Sequence, residues 1–174
     1  MKRIILPLTS DKIQTLHAGD EVLLTGWIYT GRDAAHQRLF QALQSGAGLP
    51  IDLKDQTIYY AGPAPTPPGH VIGSIGPTTS ERMDPYTPAL LAAGLKGMIG
   101  KGKRSQTVID AMRKQGAVYF AALGGAAALQ AKTVKQVEVI AYEDLATEAI
   151  RRLYVEDMPV IVAIDTYGVS VYHE

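Results

Sequence analysis

Cysteine is absent from this 174-residue chain, which excludes disulfides, thiolate nucleophiles and any iron-sulfur cluster held by the chain's own residues. Net charge is absent as well. Seventeen basic residues balance seventeen acidic ones, so there is no electrostatic footprint for nucleic acid or an anionic membrane surface. Long apolar runs are missing too, since no stretch approaches the roughly 20 residues of a membrane-spanning helix. The opening "MKRIILPLTS" is too briefly apolar for a secretory leader, is broken by Pro7 and has no small-residue cleavage site. It reads as a first strand, and the chain as cytoplasmic. His17, His36, His70 and His173 stand at no metal-ligand spacing, and no GxSxG nucleophile elbow is present. No metal ligand is therefore assigned to this chain, and a serine hydrolase lacks its central part. What is present, 47% hydrophobic residues against 20% charged, suffices to bury the core of one domain over residues 1–174.

The pattern along the chain is α/β. "EVLLTGWIYTGR" (21–32) is apolar, β-branched and aromatic and predicts a strand reaching a turn at Gly31. Asp33 is placed to cap a helix through "AAHQRLFQALQSG" that stops at Gly46. The stretch "TIYYAGPAPTPPGHVIGSIGPTT" carries five prolines and four glycines, so short strands and shaped loops are expected and a continuous helix is not. From Pro85 the order reads helix ("YTPALLAAG"), strand with glycine loop ("LKGMIGKGK"), amphipathic helix ("QTVIDAMRKQG") and strand ("AVYFAAL"). A last helix is expected through "EDLATEAIRRLYVED", then a hairpin about Tyr167-Gly168. There is no internal repeat.

Four stretches could carry chemistry, and each also has a structural reading. Arg32 follows a strand end and a glycine, where α/β folds place ligand-facing groups, yet Arg32-Asp33 also fits a plain helix start. In "GPTTSERMD" the hydroxyls of Thr78, Thr79 and Ser80 stand beside Arg82, a set suited to a carboxylate but also to helix capping. In "MIGKGKRS" the glycines around Lys101 suit an anion nest or a simple turn, without the spacing of a nucleotide-binding loop. Gly124-Gly125 fits tight packing or a ligand cradle. His36, three residues after Asp33, could be oriented by it on a shared helix face or be a structural histidine.

Five blocks, in order, carry a resemblance: "LLTGWIYTGRDAAHQRL", "YYAGPAPTPPG", "GPTTSERMDPYTPALLAAGLKGMIGKGKRS", "AVYFAALGGAAAL" and "VKQVEVIAYEDLATEAIRRLYVEDMPVIVAIDTYG". Together they resemble the β subunit of iron-sulfur (class I) fumarate hydratases, a family that includes the C-terminal domain of single-chain class I fumarases and the β subunit of L-tartrate dehydratase. The resemblance spans nearly the whole chain and rests on the GRDAAH, GPTTSxRMD and GKGxRS blocks jointly.

That resemblance implies an α/β fold, a swivelling β/β/α domain with mixed sheets and flanking helices. The domain is expected to work beside an α subunit whose three cysteines hold a [4Fe-4S] cluster, in a hetero-oligomer such as α2β2. In the family one iron of that cluster acts as a Lewis acid for removal or addition of water, and this chain would bind no cofactor. Arg32, Arg82 and Lys101 match positions that hold a small dicarboxylate. Thr78 and Thr79 match the pair beside the reacting carbon, with Thr78 expected to be the catalytic proton-transfer partner. Asp33, Asp84 and Arg104 are expected to support Arg32, Arg82 and Lys101. The activity so implied is fumarate hydratase, a hydro-lyase of the tricarboxylic acid cycle. Alternatives are L-tartrate dehydratase, methylated dicarboxylates such as mesaconate, and a stand-alone dicarboxylate-binding module.

Overall fold

The structure, a computed structural model, describes residues 1–122 and 127–172. The Gly124-Gly125 pair and His173 lie outside the described residues. The strands are β1 (Lys2–Ile5), β2 (Glu21–Thr30), β3 (Thr57–Tyr59), β4 (Gly97–Gly100), β5 (Val118–Ala122), β6 (Val134–Ala141) and β7 (Ile150–Ile164). The helices are α1 (Ser10–Gln14), α2 (Asp33–Ser45), α3 (Thr87–Ala92), α4 (Gln106–Gln115) and α5 (Ala127–Thr133), with 3-10 turns at Ser80–Met83 and Glu143–Glu148.

The sheet is mixed and closes on itself. Strands β1 to β5 pair in parallel, β1 with β2, β2 with β3, β3 with β4 and β4 with β5. The long β7 runs antiparallel to both β5 and β2, so β2–β3–β4–β5–β7 forms a ring, with β1 on β2 and β6 on β7 as the outer strands. Strands β3, β4, β5 and β7 feed one core on either side, as the period of two requires. Ile28, Tyr59, Ile99, Phe120, Leu153 and Val160 share one buried cluster. Their sequence neighbours Ile58, Met98 and Tyr119 join Leu39, Leu90 and Met112 of the helices in the other. Close approach demands glycine at Gly26, where φ is +137° and a Cβ would lie 2.8 Å from Leu6 Cβ.

Helix α2 starts one step earlier than the capping reading requires. Its N-cap is Arg32, whose side chain makes no capping hydrogen bond, and Asp33 is the first helical residue. It ends as read, with Gly46 left-handed at φ 74°. The proline-rich middle yields only the three-residue β3 before a long loop to Thr79. The hairpin about Tyr167-Gly168 is short, closed by a single bridge between Ile164 and Ser170.

The expected helix over "EDLATEAIRRLYVED" does not form. A 3-10 turn occupies Glu143–Glu148, and from Ile150 the chain is strand β7. The strand wins because Leu153, Val155, Met158, Val160 and Val162 are buried between β2 and its opposite neighbours. A helix would scatter those apolar groups around its axis. Strand β6, over "VKQVEVIA", exists only because β7 offers it an edge. The turn between them holds Ala146 at φ 54°, ψ −114°, a conformation costly for a residue with a Cβ. Arg151 steadies it, its Nη groups donating to the carbonyls of Ala146 (3.1 Å) and Thr147 (3.2 Å). Among the described residues no helix is long and apolar enough to cross a membrane.

Candidate functional site

Neighbouring parallel strands deliver their C-terminal ends to one rim, the end at which parallel α/β sheets, closed or open, hold ligands. Strand β2 ends at Thr30 and runs on through Gly31 into Arg32, β3 runs into Tyr60, and β4 into Lys101. Backbone hydrogen bonds extend the sheet into these loops. Gly31 N donates to Tyr59 O (3.0 Å), Thr78 N to Tyr60 O (2.8 Å) and Ser80 N to Lys101 O (2.9 Å). Thr79 and Lys101 form a parallel bridge. The two strands that launch Arg32 and Lys101 are separated by β3 alone, so their ends stand roughly 10 Å apart at normal strand spacing. Two cationic side chains can meet a small molecule across that gap.

Arg82 is held at the rim by two partners. Its Nε lies 3.1 Å from Asp33 Oδ2, and its Nη2 donates to Thr78 Oγ1. The Arg82–Asp33 pair is about half exposed on each side, so it is worth under about 1 kcal/mol and can be exchanged for another carboxylate. Thr78 Oγ1 thus sits against a cation, which favours loss of its proton. Lys101 and Thr79 are exposed. Among the described residues Lys101 forms no ion pair.

Arg32 differs from both. Its Nε is buried and has no hydrogen-bond partner among the described residues, and Asp33 Oδ1 is likewise buried without one. Its stem runs beside Gly62, where a Cβ would lie 3.5 Å from Arg32 Cδ and only 2.4 Å from Thr147 O. A guanidinium N–H withdrawn from water with no acceptor is costly. Such a group suits an anion that arrives from outside the chain.

Beneath the rim lie Asp84 and Arg104. The Arg104 side chain is fully buried, its Nε donating to Asp84 Oδ1 at 2.7 Å and its Nη2 to Thr87 Oγ1 at 3.0 Å. Asp84 Oδ2 accepts the backbone N–H of Ser105, the N-cap of α4, at 2.7 Å. The guanidinium also stands 5.2 Å from the Tyr60 ring centre and 4.9 Å from that of Tyr119. Ser80, grouped with the threonines on sequence, turns away from them. It is fully buried and its Oγ lies 2.7 Å from Tyr119 Oη.

His36 is structural and fully buried. Its Nδ1 donates to Arg32 O at 2.8 Å, which fixes the tautomer because a carbonyl can only accept. Nε2 has no partner among the described residues, and the ring meets Tyr60 edge-on at 5.1 Å. Burial outweighs the hydrogen bond to Arg32 O, and the Arg104 charge adds to it, so the imidazole pKa is pushed down to about 4. Because the folded value lies below the ordinary 6.5, the unfolded chain binds the proton more readily and acid favours unfolding. Stability is expected to fall by about 2 kcal/mol between pH 6.5 and pH 5 from this residue alone. Urea unfolding of the chain at both pH values checks this. In His36→Gln the acid-induced loss should shrink by most of that amount, and an unchanged loss would remove His36 from the account.

Two further residues contribute at the rim without a signal in the sequence. Glu148 Oε1 accepts Ala34 N–H at 3.3 Å at the start of α2. Tyr119, on β5, contacts both rim loops through its hydroxyl. Glu148 lay hidden in a segment read as helix, and only tertiary pairing brings Tyr119 to Ser80.

Among known proteins, the model of the family described as Fumarase C-terminus matches residues 1–174. The chain is 43% identical over 170 residues to the aerobic class I fumarate hydratase of Escherichia coli strain K12, covering 97% of this chain and 30% of that protein. It is 40% identical over 156 residues to fumarate hydratase 2 of Leishmania major, covering 88% of this chain and 28% of that protein. A protein of Methanocaldococcus jannaschii named "Putative L(+)-tartrate dehydratase subunit beta" is 39% identical over 173 residues, covering 96% of this chain and 89% of its own length. The chain thus spans about 30% of the length of the fumarate hydratases it matches and most of the separate subunit. With the match running from the first residue to the last, this chain belongs to the Fumarase C-terminus family.

Proposed function

We propose that the chain is the dicarboxylate-clamping part of a hydro-lyase, adding water to fumarate or removing it from malate. The observation that carries this reading is Arg32, a cation with a buried, unpartnered Nε, next in sequence to the Asp33 that holds Arg82 against Thr78. Arg32 and Lys101 take the substrate carboxylates from the ends of β2 and β4, and Arg82 leaves its weak pairing with Asp33 to join them. Bidentate guanidinium contacts fix the carboxylate plane, which a lysine alone would not. When the proton leaves the carbon next to a carboxylate, negative charge gathers on that carboxylate, and the clamp stabilises this charge more than it stabilises the substrate. Thr78 Oγ1, with Arg82 lowering the cost of its alkoxide, is the group on this chain that takes or returns that proton. Thr79 lines the same edge.

The residues of this chain do not fit an iron-sulfur cluster. There is no cysteine, and the described residues contain no group of three or more His, Asp or Glu that could hold a metal ion. We place the [4Fe-4S] cluster on a partner α subunit, in a cytoplasmic hetero-oligomer of α2β2 type, with the substrate enclosed between the chains. L-tartrate dehydratase is the second reading. It is favoured by the separate β subunit that matches this chain along 89% of its length.

The test is anaerobic reconstitution with a cluster-loaded, cysteine-bearing α subunit, assayed on fumarate, malate and tartrate. This chain alone should be colourless, free of iron and inactive, and the pair should be active. Fumarate as the preferred substrate supports the first reading and tartrate the second. Turnover by this chain alone would overturn the reading, as would a cluster-loaded pair inert toward all three compounds.

A further inference from the structure

We infer that Tyr119 is a positioning residue that ties the Thr78–Arg82 loop and the Lys101–Gly102 loop into one rigid unit, and that substrate affinity at Lys101 depends on its hydroxyl. Tyr119 is not among the proposed substrate ligands. It lies on β5 with its side chain fully buried, and burial pushes its phenol pKa up, so the hydroxyl keeps its proton. That single proton is committed to Gly102 O at 2.8 Å. The other contact of Tyr119 Oη, Ser80 Oγ at 2.7 Å, must then be the donor, since a phenol has one O–H to give.

A closed circuit results. Ser80 O–H donates to Tyr119 Oη, Tyr119 O–H donates to Gly102 O, and Ser80 N–H donates to Lys101 O at 2.9 Å. Lys101 is therefore pinned on both sides, through its own carbonyl and through that of the next residue, while its side chain stays exposed. The circuit exists because position 100 is glycine. A Cβ there would lie 2.0 Å from Ser80 Oγ and 2.8 Å from Tyr60 Cδ2. Gly102 sits at φ +88°, the turn that brings its carbonyl to Tyr119. A flexible lysine on a fixed backbone loses less freedom on binding than one on a mobile loop, so the buried phenol acts on affinity from beneath the site.

The inference rests on the hydro-lyase reading for its effect on turnover but not for its effect on the loops, so two measurements separate them. In the chain alone, hydrogen exchange of the Ser80 amide should be at least tenfold faster in Tyr119→Phe and in Ser80→Ala, with strands β2 and β7 unchanged. An unaltered Ser80 amide in both variants overturns the proposal whatever the activity. In the reconstituted pair, Tyr119→Phe should raise KM for the preferred substrate about tenfold while kcat stays within about twofold. In a Lys101→Ala background the same substitution should change KM less than twofold, because the residue it acts through is gone. Full additivity of the two changes would overturn the coupling to Lys101. A wild-type KM for Lys101→Ala, with Ser80 exchange accelerated as expected, would instead overturn the reading of Lys101 as a substrate ligand.

Discussion

Asp84→Asn is expected to cost the chain about 3–5 kcal/mol of stability at neutral pH, while changing side-chain volume hardly at all. Arg104 has no exposed side-chain surface and Asp84 has 9%, so removal of the carboxylate charge leaves a guanidinium in the core with no counter-charge. The neutral amide could still accept one hydrogen bond, and Thr87 Oγ1 and the rings of Tyr60 and Tyr119 would stay in place, but none of these carries negative charge. The melting temperature should drop on the order of 10 °C for a chain of this size. The paired replacement Asp84→Leu with Arg104→Met should recover most of the loss, because an apolar pair of similar volume avoids desolvating either ion. Calorimetry of the wild type and the two variants decides the matter. A drop under about 1 kcal/mol in Asp84→Asn would mean that water reaches Arg104.

The reason for so costly a pair lies in its position. Arg104 connects β4, through Met98 Sδ at 3.4 Å, to the start of α3 through Thr87 and to α4 through Asp84 and Ser105. It lies under the two loops that carry Thr78, Arg82 and Lys101. Rigid support beneath a binding site limits the order that a ligand must impose when it arrives.

Periodic segments bounded by their own punctuation were legible in the sequence. Strand β2 alternates buried Val22, Leu24 and Ile28 with half-buried neighbours, and α2 and α4 each stop at a left-handed glycine, Gly46 and Gly116. The α/β order followed from these. The β6–β7 half was not legible, because "EAIRRLYVED" offers charges at helical spacing and apolar residues at strand spacing together. Only the neighbours settle the choice, and β7 has β2 on one side and β5 and β6 on the other. The same limit applies at the rim. Arg32, Thr78, Arg82 and Lys101 stand out as residue types beside glycines, whereas Ser80 reads as one more hydroxyl until Gly100 and Tyr119 define its pocket. A tyrosine on a strand carries no local signal of what lies above it.

Arg32→Met should separate function from stability in the opposite sense to Asp84→Asn. Methionine can follow the buried stem past Gly62 but carries no charge and no donor. In the reconstituted pair kcat/KM should fall at least about a hundredfold, on the order of 3 kcal/mol, the scale for deleting one partner of a desolvated charge pair. Folding should not suffer. Among the described residues the Nε of Arg32 has no acceptor to lose, so its replacement removes an unmet desolvation cost, and the melting temperature of the chain alone should hold or rise. The carbonyl that accepts His36 Nδ1 belongs to the backbone and survives the substitution. Added succinate, a saturated analogue of the substrate, should protect the wild-type chain against urea more than it protects Arg32→Met, since only a folded clamp binds it. If Arg32→Met melted many degrees lower and kept its activity once assembled, the unpartnered guanidinium would be a structural strut, and the clamp would have to be built from Arg82 and Lys101 without it.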